Sequence, residues 1–138
     1  MLKLINAQAV PNLIYGISAA TLTTQEIKSL SYAYNSVFTK MFNTFDKNVI
    51  YCCQFYSGYL CFNMLYDLHR YMFLRNLLRK TFIDKCSEID KFDYRDYVAL
   101  QNKYDFKDSD SEAKIKFKVW NVFALVLMSC LLMSKELR

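Results

Sequence analysis

Turn formers are scarce in this chain: its 138 residues include two glycines and one proline. An all-β sandwich or barrel needs a turn about every 8 to 12 residues, so the shortage argues against those folds and for long helices with short joints. Catalytic vocabulary is equally thin. The single histidine, His69, stands apart from any Cys partner, and no glycine-rich phosphate loop, metal-holding Asp-Asp hairpin or Ser, His and Asp set can be assembled. The expectation is a protein that is not an enzyme and carries no cofactor and no metal. Five cysteines stand at 52, 53, 61, 86 and 130, an odd number with one adjacent pair and no Cys-x-x-Cys spacing. They read as reduced, mostly buried thiols, not as a disulfide framework or a zinc site. The start, Met1-Leu2-Lys3-Leu4-Ile5-Asn6, turns polar too early for a secretory signal, which implies an intracellular protein, cytoplasmic or nuclear.

What the chain has in quantity is apolar and aromatic surface: 54% hydrophobic residues, with eleven Tyr and eleven Phe. That is enough for a real core at single-domain length. Charge is uneven. Residues 1–82 hold eight Lys or Arg against three acids, whereas residues 83–138 hold ten of each, so the net charge of +5 resides in the first part. Any attraction to a polyanion should therefore originate there.

Helical spacing divides the chain into five to six helices in an irregular all-α bundle. The apolar segment Leu2 to Ala20 is helical, with Pro11 expected to break or kink it and Gly16 to mark a bend or close approach. Thr23-Thr24-Gln25-Glu26 has the spacing of a capping box, so a helix should start there. Its inward stripe is Ile27, Leu30, Tyr34, Val37, Phe38, Met41 and Phe45. Asp46 and Asn48 offer the next caps, for a short helix ending at Ser57-Gly58. A helix over Cys61 to Phe82 places Phe62, Leu65, Leu68, Met72, Leu77 and Leu78 inward, with Asp67, Arg70, Arg75 and Arg79 outward. The composition then becomes charged, with a soft boundary near 84 that separates residues 1–84 from a tail, 85–138. A short helix is expected over 93–103, a solvated loop around Asp108-Ser109-Asp110-Ser111-Glu112, and a last helix over 111–135. In that helix residues 119–133 are apolar nearly all round, shorter than the roughly 20 residues of a full membrane span.

Val10-Pro11-Asn12-Leu13-Ile14-Tyr15-Gly16 is similar to the Leu-Pro-x-Leu-Leu-Tyr-Gly stretch that follows the polymerase palm in non-LTR (LINE-type) retrotransposon reverse transcriptases. Leu22-Thr23 through Leu30, then Asn35, Phe38, Lys40 and Phe42, resembles the helix after it, and Cys53 to Gly58 with Arg70 and Phe73 the one beyond. Leu100 to Tyr104 and Ile115 to Trp120 resemble the end of such reading frames. Ser18 stands where the family has Glu, and Leu60-Cys61 where it has Leu-Pro. The resemblance implies a thumb-like helical region, without the catalytic Asp-Asp motif, that packs beside a palm domain and a primer-template duplex.

On that reading Lys40, Lys47, Arg70, Arg75, Arg79 and Lys80 grip nucleic-acid backbone, weakly and without sequence preference. Tyr32, Tyr56, Tyr59 and Tyr66 either stack on bases or pack. The alternatives are a membrane-associated protein held by residues 119–133, with Lys114, Lys116 and Lys118 toward lipid head groups, or a helical protein-interaction module.

Overall fold

A computed structural model describes residues 2–4, 8, 10–84 and 91–136. Among these residues there are helices and turns but no strand: a short α1 (Leu2–Leu4), then α2 (Val10–Ile17), α3 (Thr24–Phe42), α4 (Lys47–Tyr56), α5 (Phe62–Asp84), α6 (Lys91–Tyr104) and α7 (Glu112–Glu136). The protein is an all-α bundle of six substantial helices. The boundary expected near 84 borders residues 85–90, which lie outside the described set.

Local chemistry sets the helix ends. The Thr23 hydroxyl accepts from the Glu26 amide at 3.3 Å while the Glu26 carboxylate accepts from the Thr23 amide at 2.8 Å, so two otherwise orphaned donors are satisfied at the start of α3. Asp46 caps α4 through the Asn48 amide at 2.9 Å. Asn43 closes α3 in the left-handed conformation, and Gly58, with φ of 80°, makes the turn toward α5. Pro11 is the second residue of α2, a first-turn position that its fixed φ suits, and the break or kink expected of it falls next to residues 5–7 and 9, outside the described set. Gly16 does not mark a close approach, since a side chain there would meet no atom within 4 Å.

Two apolar clusters make up the core, and α5 contributes to both. Tyr34 and Phe38 of α3, Ile50 of α4, Tyr59, and Phe62 and Tyr66 of α5 form one, with α2 resting on it through Val10, Leu13 and Ile17. The other joins Met64, Leu68, Tyr71 and Leu74 of α5 to Tyr97, Leu100 and Tyr104 of α6, Phe106, and Ile115, Val119, Phe123 and Leu127 of α7. Aromatic contacts run through both, as between Tyr71 and Tyr97, stacked at 5.2 Å, and Phe38 and Tyr59, edge-on at 5.5 Å. Buried polar groups pin the helices in register. The Gln54 amide donates to Asn35 at 2.8 Å between α4 and α3, and the Tyr104 hydroxyl donates to Asp67 at 2.7 Å between α6 and α5.

Phe55 near the end of α4 touches Trp120 and Phe123 of α7, while Val49 near its start shares a groove with Leu131. Helices α4 and α7 are therefore antiparallel. The last turns of α7 lie beside the α3–α4 turn, at the end of the bundle away from residues 108–112.

Replacing Thr23 with Ala removes the capping box and should lower stability by about 1 kcal/mol in urea denaturation; an unchanged midpoint would mean the box contributes nothing to the fold.

Candidate docking surface

The cations expected on one outward face are not together. Arg70 is 2% exposed. Its guanidinium lies 2.6 Å from Asp93 Oδ1, 3.0 Å from Thr21 Oγ1, 3.2 Å from the Ser18 carbonyl and 3.4 Å from Asp96 Oδ2. It ties the α2–α3 joint and α6 to α5. Arg75 is also buried, 7% exposed, and lies toward the start of α7. There Lys116 first, and Arg75 to a smaller extent, hold the Glu112 carboxyl below its usual range. The outward placement of Arg70 and Arg75 is thus corrected. Apolar spacing alone assigns α5 a wet face, but a helix enclosed by α2, α3, α6 and α7 has little left to show over its middle turns.

Lys40, Lys47, Arg79 and Lys80 remain exposed. Lys40 and Lys47 flank the α3–α4 turn, whereas Arg79 donates to the Asp108 carbonyl at 3.3 Å, just before α7. Residues 112 and 131, which mark these two ends of α7, are separated by about 28 Å at 1.5 Å per residue. The surviving cations are two pairs rather than one stripe.

The segment 108–112 is also not a simple solvated loop. Asp110 is buried, 2.6 Å from Lys118 Nζ and 2.9 Å from Lys114 Nζ, and accepts from the Lys107 amide at 2.9 Å. Asp108 accepts from the Tyr97 hydroxyl and from Gln101. Lys116 pairs with Glu112 at 2.8 Å. The lysines expected to face lipid head groups are therefore engaged in internal pairs at the start of α7, because acids four residues earlier or in the preceding turn reach them first.

The conspicuous surface is apolar and lies at the opposite end of α7. Leu125, Met128 and Leu132, spaced three and four residues apart and so on one face, are 66%, 60% and 62% exposed. Phe45, Val49 and Tyr56 are exposed as well. An open groove of about 480 Å³ runs between the outer side of α4 and α7, lined by Phe42, Val49, Cys52, Cys53, Tyr56 and Leu131 among others. Phe45, expected inward with the α3 stripe, lies beyond the end of α3 in the turn and points to solvent. Tyr32 is exposed too, while Tyr59 and Tyr66 are core residues.

The chain matches no protein-family model, no curated protein and no solved structure.

Among the described residues no group of three or more His, Cys, Asp or Glu side chains is placed to hold a metal ion. Cys52, Cys53, Cys61 and Cys130 are free thiols, and burial pushes the Cys61 thiol upward, which makes it a poor nucleophile. Of the surface residues, Val49, Met128 and Leu132 had no functional expectation attached to them individually. The signal was the uninterrupted apolar run of α7: one helix packed on one side cannot bury residues that are apolar on all sides.

Two outcomes follow. Replacing Arg70 with Met should cost about 3 kcal/mol, the low end for a broken buried pair because Asp93 and Asp96 keep some solvent, whereas Lys40→Ala and Lys47→Ala should stay within about 0.5 kcal/mol. Equal effects in chemical denaturation would contradict the buried network. Hydrogen bonds from Lys118, Lys114 and the Lys107 amide hold the Asp110 carboxyl well below its ordinary 3.8. Its contribution is fully present above that value and is lost as pH falls further, so Asp110→Asn should flatten the acid limb of a thermal-stability profile below about pH 4.

Proposed function

We propose that this protein is a non-catalytic helical docking module, whose working surface is the apolar end made by the α3–α4 turn, the outer side of α4 and the last turns of α7. The observation that carries the reading is the exposure of Leu125, Met128 and Leu132 on α7 together with that of Phe45, Val49 and Tyr56 on α4 and the turn before it, two elements that pack on each other. Soluble monomers rarely leave so many large apolar side chains exposed on two adjoining helices unless a partner covers them.

The resemblance to a reverse-transcriptase thumb is compatible with this use, since a thumb packs against a neighbouring palm domain. Direct grip on a duplex draws less support. It retains Lys40, Lys47, Arg79 and Lys80, in two separated pairs, and loses Arg70 and Arg75 to the core.

The triple variant Leu125→Gln, Met128→Gln, Leu132→Gln tests the reading. Helical circular dichroism should be unchanged, because these side chains are exposed, while binding of an apolar-surface dye falls and solubility rises severalfold. A variant that keeps the parent's dye binding and solubility would remove the docking surface. One that loses its helical signal would return these residues to the core.

A further inference from the structure

We propose that the apolar end seats in the interface of an anionic lipid bilayer, an inference that rests on the docking reading and names its partner. Charge complementarity selects the lipid. Lys40 and Lys47 stand exposed on either side of the α3–α4 turn, and among the described residues neither has an acidic partner. The one acid in that turn, Asp46, is engaged in capping α4. Asp108, Asp110 and Glu112 lie at the far end of α7 in pairs of their own, and the last turn of α7 holds one acid, Glu136, next in sequence to Lys135. One end of the molecule therefore combines unpaired cations with exposed apolar and aromatic side chains, the composition of an element that lies at a head-group boundary.

The side-chain types are those of such a boundary. Phe45 and Tyr56, 87% and 84% exposed, are aromatic groups of the kind that sit at head-group depth, and Met128 and Leu132 are apolar groups of the kind that enter acyl chains. The groove beside Val49 and Leu131 is open to an acyl chain.

Helix α7 is long and apolar enough to cross a bilayer by length and composition, but Ile115, Val119, Phe123 and Leu127 belong to the core. Withdrawing them to span the membrane would expose α5 and α6. Shallow seating uses the exposed apolar side chains of α7 and leaves the bundle intact.

Flotation of the full chain with phosphatidylcholine vesicles, with and without phosphatidylserine, tests the proposal. The chain should float with the anionic vesicles at low salt and be released as salt rises. Lys40→Glu with Lys47→Glu should lower partitioning at least about tenfold, and Phe45→Gln with Met128→Gln should lower it similarly. Arg79→Glu with Lys80→Glu, at the other end, should leave it unchanged. A helical chain that floats with neither vesicle, or one that Arg79→Glu with Lys80→Glu impairs as much as the lysine pair, overturns the lipid proposal. If the glutamine triple variant still loses dye binding in that case, the docking surface stands without a lipid partner. Elution of the parent chain as a dimer would then assign the surface to a second copy.

Discussion

A guanidinium cannot sit in an apolar interior unless its charge and its donors are met there, and Arg70 makes that requirement the organising constraint of this bundle. Four groups from two separate stretches of chain converge on it: Ser18 and Thr21 from the α2–α3 joint, and Asp93 and Asp96 from α6. The two stretches lie more than 70 residues apart in sequence, so satisfying the one side chain brings the α2–α3 joint and α6 together beside α5. Apolar clusters supply the bulk of the driving force and tolerate repacking, whereas removing one member of the ion cluster leaves a buried charge without its partner.

Its consequence for the surface is a separation of charge. Asp93 and Asp96 are held by Arg70, Asp67 by Lys103 and Tyr104, Asp110 by Lys114 and Lys118, and Glu112 by Lys116. Most described acids thus serve as internal struts within the half of the molecule built from α5, α6 and the start of α7. The α3–α4 turn is left with exposed cations and a single capping acid. The same topology bears on the apolar exposure: Ile115, Val119, Phe123 and Leu127 occupy the side of α7 that packs on the core, and Leu125, Met128 and Leu132 stand on another side.

Helix ends were legible from local chemistry. Thr23 with Glu26, Asp46 and Ser57-Gly58 each act within a few residues of themselves, and their outcome does not depend on the rest of the fold. The α3 stripe was legible for the same reason, because Tyr34 and Phe38 pack on one side of a helix with one main interior direction. Phe45 departed from it at the helix end, where the turn breaks the periodicity. For α5 the reasoning fails in an instructive way. Its polar positions recur at helical spacing, yet Arg70 and Arg75 are inside, because a central helix is surrounded and its charged side chains are buried against partners drawn from elsewhere.

The amino-acid order by itself determined an all-helical chain, the position of nearly every helix and an excess of positive charge in the first part, since these follow from nearest-neighbour spacing, from the scarcity of turn formers and from counting. Only the tertiary structure decided which charges are neutralised and which apolar residues are left uncovered. Both depend on distances between segments far apart along the chain: 23 residues separate Arg70 from Asp93, and more than 70 separate Val49 from Leu131 in the groove they share. Pairing and burial at such separations are set by how the helices meet, and no local pattern encodes that.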